Sequence, residues 1–349
     1  MKDRLVIPPL LKEGDIVAIV ATARFVTPDE IAPAIAFLQR WGLGVKLPEQ
    51  LYAKEDQFAG SDDCRAGMLQ QMLDDPQVKA VFCARGGYGT VRIIDKVDWT
   101  QFMLHPKWVV GYSDVTVLHC HIQQLLGIAT LHAIMPFNFP TGEKALKEEE
   151  AEEYCCLPGN GYLTSPYPAL STLKQFLFRG ELEYPGHLFL CCLPSKDPLK
   201  QVWTPAPDML FSASRIYTPP ADERVRCITA PVCGGNLSIL YSLLGSASDI
   251  DTRGKILFIE DLDEYLYHID RMMQALRRAG KLNDLAALVV GAFSDMHDNA
   301  VPFGKTAEQI ILEAAQDRDY PVIHGGIFGH IGKDNLALPL GLTATLAWR

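Results

Sequence analysis

The chain has 349 residues, 48% of them hydrophobic and 21% charged, with a formal net charge of −10. That length and balance describe a globular protein of roughly two domains, and the acidic surplus, with no basic tract, argues against nucleic acid or an anionic membrane surface as a partner. No apolar run approaches the roughly 20 residues a membrane span needs. The start, Met1-Lys2-Asp3-Arg4 before a short apolar stretch broken by Pro8 and Pro9, does not read as a signal peptide. Nine cysteines are present, including the adjacent pairs Cys155-Cys156 and Cys191-Cys192. With no CxxC and no Cys/His spacing typical of zinc, they read as thiols of a reducing compartment, hence a cytoplasmic protein without a structural metal.

In chain order, residues 15–21 predict a short buried strand, and Thr27-Pro28-Asp29-Glu30 a helix start with apolar positions to about Trp41. A second strand follows over 42–47, a helix over 64–73 that stops before Pro76, a third strand over 78–84, and a fourth containing Val109 and Val110. Strands alternating with helices predict a mostly parallel sheet covered on both faces, with its ligand site beyond the carboxyl ends of the strands. Residues 143–153 read as an acidic helical stretch with a solvated face. From about 160 to 223 the periodicity weakens, apart from a helix over 171–179, and an insertion occupies about 185–222. A second α/β unit starts near Val225, with a helix after Gly234-Gly235-Asn236, a buried strand over 255–259, an amphipathic helix over 265–279, a strand over 285–290 and a helix over 306–315. The expected organisation is an N-terminal domain over 1–160, a linker region with the insertion over 161–224, and a C-terminal domain over 225–349.

Two loops lie at carboxyl ends of the first sheet's strands. In Trp108-Val-Val-Gly-Tyr-Ser-Asp114 an apolar strand stops at Gly111, a hydroxyl follows two residues later, and a helix-compatible run continues to Leu126. That is how a chain presents a nucleophile at a strand-to-helix turn; an ordinary Ser or Asp helix cap has the same local pattern. In Arg85-Gly-Gly-Tyr-Gly89 three glycines free the backbone either to aim N–H groups at an anion or a developing oxyanion, or simply to turn. It is neither a Walker motif nor a complete GxGxxG. A serine nucleophile needs a base and an orienting carboxylate. His119 and His121, on the helix after Ser113, read as packing or surface residues pointing away from the turn. His330 follows Gly329 on a loop, with His324 on the other side of the glycines. Glu260 ends a run too apolar to hold an unpartnered charge, and Asp261 follows it, either as part of a site or as a cap of the next segment. Glu264, Tyr267 and Asp270-Arg271 have helical spacing and read as a salt-bridged surface.

Taken together these segments resemble the LD-carboxypeptidase family of serine peptidases, which includes murein tetrapeptide carboxypeptidases and microcin C self-immunity peptidases. The matching pieces are Arg85-Gly-Gly-Tyr-Gly89 with Arg92, Gly111-Tyr-Ser-Asp-Val-Thr116, Gly234-Gly-Asn-Leu237, Phe258-Ile-Glu-Asp-Leu-Asp-Glu264 with Tyr267 and Asp270-Arg271, and Gly329-His330. They occur in the family's order over roughly residues 12–140 and 230–345. The resemblance implies an N-terminal domain like the class I glutamine amidotransferase Rossmann-like fold and a smaller C-terminal α/β domain. It implies a Ser113–Glu260–His330 triad at their junction, a homodimer, and neither cofactor nor metal. The N–H of Asp114 and one from Gly86 or Gly87 would hold the oxyanion, and Arg85 a substrate carboxylate. The implied reaction removes a terminal D-Ala from a cytosolic murein tetrapeptide during peptidoglycan recycling. Two other functions fit the same segments: cleavage of a peptidyl-nucleotide, for which Trp203 is the one aromatic placed to stack on a base, and muropeptide binding without catalysis. The chain departs from the family at His132-Ala-Ile-Met135, where the family has a His-Gly-Pro-Met-like run, and in the insertion, which lengthens the Ser-to-Glu interval.

Overall fold

The computed structural model describes residues 5–142, 166–185, 189–191, 204–205, 210–214, 226–324 and 328–348. Through the first part of the chain the elements are β1 (Ile16–Val20), α1 (Pro28–Arg40), β2 (Gly44–Lys46), α2 (Asp62–Asp74), β3 (Val78–Cys83), α3 (Thr100–Leu104), β4 (Trp108–Gly111), α4 (Thr116–His121), β5 (Thr130–His132) and α5 (Pro168–Arg179). There follow β6 (Glu181–Pro185), β7 (Phe189–Cys191), β8 (Thr204–Pro205), β9 (Leu210–Ser214), β10 (Arg226–Asn236), α6 (Leu237–Ser242), β11 (Ile256–Leu262), α7 (Leu266–Arg278), β12 (Ala287–Ser294), α8 (Ala307–Ala315), β13 (Val322–His324), β14 (Leu338–Leu340) and β15 (Thr343–Trp348).

The first sheet has the order β14-β5-β4-β3-β1-β2 and is parallel except at β14. Its central strands are buried on both faces, which is why they read as continuous apolar runs rather than alternating ones. Local signals set the helices. α1 opens with a reciprocal capping box between Thr27 and Glu30 and Pro28 in its first turn, and buries Ile31, Ala34, Phe37 and Leu38 on one face. α5 starts at Pro168, three residues before the expected start, because proline is well suited to a first helical turn. It packs on the first sheet, where Phe176 meets the buried Trp108 ring edge-on at 5.2 Å.

The second sheet has the order β6-β9-β15-β10-β11-β12-β13-β7-β8. Strands β10 to β13 are parallel neighbours, with α6, α7 and α8 between them in the chain. β15 returns antiparallel to β10. The protein is thus a two-domain α/β fold with mostly parallel central strands, as the alternation of strands and helices predicts. The end of the chain is shared. β14 crosses back to pair antiparallel with β5 in the first sheet, Leu338 opposite His132 and Leu340 opposite Thr130. The acidic stretch 143–153, Trp203 and most of the insertion lie outside the described residues.

The two sheets meet at α4, the helix behind Ser113. The Asn236 N–H donates to Thr116 Oγ1 at 3.0 Å, His121 Nδ1 stands 2.9 Å from Ser248 Oγ, and the Asp251 N–H donates to Gln124 Oε1 at 3.0 Å.

Candidate active site

β4 ends at Gly111, Tyr112 remains extended, and Ser113 then takes φ = +62° before a single 3-10 turn (Ser113–Val115) leads into α4. A left-handed conformation costs a non-glycine residue about 1–2 kcal/mol, so the surroundings must impose it. They do so from three sides. The Ala133 N–H donates to Gly111 O at 3.1 Å and the Val115 N–H to Tyr112 O at 3.2 Å. His119 Nε2 lies 2.9 Å from Gly111 O, and since a carbonyl only accepts, Nε2 carries the proton. Burial pushes the His119 pKa down to about 4, keeping it neutral. His119 therefore braces the turn from beneath, whereas the sequence places it pointing away. As the fourth residue of α4, His119 reaches back to the end of β4.

The glycine loop is built against that turn. A Cβ on Gly86 would lie 3.0 Å from Ser113 Cβ and 3.1 Å from its Oγ, so only glycine brings this backbone so close to the hydroxyl. Asp114, wholly buried, accepts the Thr90 N–H at 2.9 Å and so ties the serine turn to the loop; burial raises its pKa. Arg65, also wholly buried, donates from Nη1 to Gly89 O at 2.8 Å and Thr22 O at 2.7 Å, and its Nη2 pairs with Asp62. Arg65→Met leaves both carbonyls without their donor and is expected to cost about 3 kcal/mol. A thermal melt of that variant should drop by several degrees.

Glu260 and His330 come from the other sheet. His330 Nδ1 lies 2.7 Å from Glu260 Oε2, and the Glu260 side chain is 0% exposed. Nδ1–H donates to the carboxylate, which leaves Nε2 as the basic nitrogen. Two residues of β12, Gly291 and Ala292, stand opposite the single Glu260 of β11, a bulge at the point where the carboxylate leaves the strand. Gly329, at φ = +110°, lets the His330 loop pass directly over it: a Cβ there would sit 2.9 Å from Glu260 Oε2. The fully buried Asn335 accepts the Gly329 N–H at 2.8 Å, and Ser294 Oγ donates to His330 O at 3.1 Å. Burial lowers the His330 pKa, but the Glu260 hydrogen bond and the charges of Glu260 and Asp261 outweigh it, and the net shift is upward.

The His330 ring is 4.9 Å, centroid to centroid, from that of Tyr112, the residue before Ser113. So the dyad from the second sheet stands over the serine turn of the first. Among the described residues the Ser113 hydroxyl has no hydrogen-bond partner, so the Ser–His contact is open in this conformation. Catalytic hydrogen bonds are often long before substrate binds. Of the other predicted residues, Asp261 serves structure. It accepts from Asn236 Nδ2, Ser238 N and Ser238 Oγ, capping α6, and burial with the adjacent Glu260 raises its pKa to about 6. His324 lies on β13, 3.9 Å from a Glu308 oxygen and outside the dyad. Arg271 lies over the Tyr267 ring at 5.1 Å and Glu264 pairs with His268, so an ion pair does lie on this surface, with His268 as the partner of Glu264.

Residues 17–133 match the family model for the LD-carboxypeptidase N-terminal domain and residues 229–346 that for its C-terminal domain. The "probable murein peptide carboxypeptidase" of Bacillus subtilis is 33% identical over 344 residues, 97% of this chain and 91% of that protein. The chain belongs to the LD-carboxypeptidase family. It is accordingly a serine-type carboxypeptidase, a hydrolase. Two solved structures share the fold over nearly full length. The muramoyltetrapeptide carboxypeptidase from Oxalobacter formigenes has a TM-score of 0.68 at 23% identity, over 96% of this chain and 99% of that one. The microcin C7 self-immunity protein MccF, solved in complex with aspartyl sulfamoyl adenosine, has a TM-score of 0.71 at 19% identity, over 99% and 98%.

Several residues that shape the site in this LD-carboxypeptidase have no sequence signal. Tyr112 stands in the sequence only as a member of the Gly111–Thr116 run, and nothing local singles out Arg65 or Asn335. Tyr112 and Arg65 meet partners far along the chain, and Asn335 takes the Gly329 N–H six residues before it. The departure at His132-Ala-Ile-Met135 lies against the site. His132 is wholly buried, its ring 5.8 Å from that of Tyr112 and 5.0 Å from that of Phe258, and Met135 Cε is 3.4 Å from the place a Gly86 Cβ would occupy.

Proposed function

We propose that the protein is an LD-carboxypeptidase that removes the terminal D-Ala from murein tetrapeptides through a Ser113–His330–Glu260 acyl-enzyme mechanism. The observation that carries the proposal is the 2.7 Å His330–Glu260 contact, with its carboxylate wholly buried, above a serine held at φ = +62°. His330 Nε2 takes the Ser113 proton as Oγ attacks the carbonyl carbon next to D-Ala. The N–H of Asp114 and one from Gly86 or Gly87 hold the tetrahedral oxyanion; loss of one such donor costs about 3 kcal/mol. Collapse breaks the C–N bond, His330 returns its proton to the departing amine of D-Ala, and a water activated by the same imidazole hydrolyses the ester. Glu260 orients the ring and stabilises its cation. A murein peptide as substrate is supported by the name of the Bacillus relative, and a tetrapeptide by that of the Oxalobacter enzyme whose fold is shared.

We further place the reaction in the cytoplasm, in peptidoglycan recycling, and in a homodimer. Cys64, Cys83, Cys120, Cys227 and Cys233 are free thiols, in keeping with a reducing compartment. Mass spectrometry of products from UDP-MurNAc-tetrapeptide and from free tetrapeptide tests the proposal, and D-Ala should appear from at least one. Cleavage of an aminoacyl sulfamoyl nucleotide with both tetrapeptides intact would instead assign the protein to the immunity type. No turnover of either class would mark a binding protein.

A further inference from the structure

The turn Gly86-Gly87 touches Ser113 on one side and two arginines on the other. Arg85 is largely accounted for: its guanidinium lies 3.9 Å above the Phe137 ring and 3.7 Å from Glu30 Oε1. The other Glu30 oxygen is committed to the α1 cap, where it accepts from Thr27 N at 2.8 Å and Thr27 Oγ1 at 3.1 Å. Arg24 is exposed, and its side chain lies across Gly87. A Cβ at Gly87 would fall 2.3 Å from Arg24 Cδ and 2.5 Å from Cγ, so this glycine is what seats the arginine there. Among the described residues Arg24 has no carboxylate partner. Burial, and after it the nearby Arg24 charge, lower the Arg85 pKa. Glu30 thus answers Arg85 alone, and the Arg24 charge, whose side chain lies on the glycine next to the one that touches Ser113, has no carboxylate among the described residues.

We infer that Arg24, with Arg85, forms the subsite for the substrate's terminal carboxylate and that Arg24 is the residue that confines the enzyme to chain ends. The inference rests on the serine carboxypeptidase mechanism proposed above and adds what that mechanism lacks, a means of reading the free end. Covalent geometry sets where such a subsite must be. In a C-terminal residue the carboxylate carbon is three bonds from the scissile carbonyl carbon, hence about 3–4 Å away. The anion site therefore has to adjoin the oxyanion loop, and Gly87 and its arginine are the next positions along that loop. A planar guanidinium grips a carboxylate bidentately; the neutral amide of an internal peptide bond offers neither that geometry nor the missing charge.

The test compares a tetrapeptide ending in D-Ala as the free acid with the same peptide amidated at its C-terminus. Binding is measured calorimetrically on Ser113→Ala and on the double variant carrying Arg24→Ala as well, with thermal melts to confirm folding. Ser113→Ala should favour the acid by about 30-fold or more, and adding Arg24→Ala should cut that preference about 10-fold. Arg24→Lys in place of Arg24→Ala should restore part of it. In turnover by the unaltered serine enzyme, Arg24→Ala should raise KM more than it lowers kcat. An unchanged preference, an equal loss on acid and amide, or no preference for the acid at the outset overturns the inference. Arg24-dependent preference for the acid without D-Ala release by the unaltered protein would sustain the subsite and sink the hydrolytic mechanism, so the two failures are distinct.

Discussion

Ser113→Ala should lower kcat for D-Ala release by about 10⁴-fold or more while leaving the fold intact. The side chain has no hydrogen-bond partner among the described residues, so its removal takes nothing from the packing of either sheet. What it takes is the atom proposed to attack. The strain at this position stays, because alanine at φ = +62° is no better placed than serine. Ser113→Gly separates the two effects. It should be equally inactive but melt above Ser113→Ala, by about 1 kcal/mol in stability, since glycine adopts the left-handed region freely. Product analysis and thermal melts of both variants check the pair of claims. Turnover retained by Ser113→Ala would remove the nucleophile assignment. Equal melting of the two would mean that the turn relaxes in solution.

Glu260→Gln should lower kcat by about 10³–10⁴-fold and also displace the acid limb of the pH profile. The sign follows from which form of His330 works. Only the neutral imidazole can take the serine proton, so kcat/KM falls as pH drops through the His330 pKa, which lies above the ordinary 6.5. Burial acts to lower that pKa and is overcome by the hydrogen bond and charge of Glu260, with help from the charge of Asp261. Glutamine keeps the shape but removes the charge, so burial gains weight and the limb should move to lower pH. A rate loss without that movement would mean that Glu260 acts on something other than the imidazole.

The parts of this site legible in the sequence are those whose signal is local. Ser113 follows a recognisable strand-stop-hydroxyl pattern, Glu260 is a charge at the end of an otherwise apolar run, and Gly329-His330 marks a turn. Their grouping came from the order of five segments, since no periodicity says that a carboxylate on β11 meets an imidazole 70 residues later. Strands that escaped notice include β10, β13 and β15 of the second sheet and, in the first, β5 and β14, three residues each. Runs as short as these last two carry no usable alternation, and pairing fixes them, β14 on β5 and β5 on β4 as well. His119 was misplaced for a similar reason: its partner is a backbone carbonyl, and a carbonyl has no residue type to read. Arg24 escaped altogether, being an ordinary surface cation until Gly87 is known to lie beneath it.

The crossing of β14 into the first sheet has a mechanical consequence. The segment carrying His330 is anchored at one end by β13 in the second sheet and at the other by β14, which is bonded to β5 and through it to β4, the strand that presents Ser113. It is a tether fastened to both bodies. Any hinge opening that parts the two sheets must draw this tether taut, and the imidazole, halfway along it, is pulled with it. Closure returns the ring toward the serine turn by the same linkage, so the spacing of His330 and Ser113 is tied to the spacing of the two sheets.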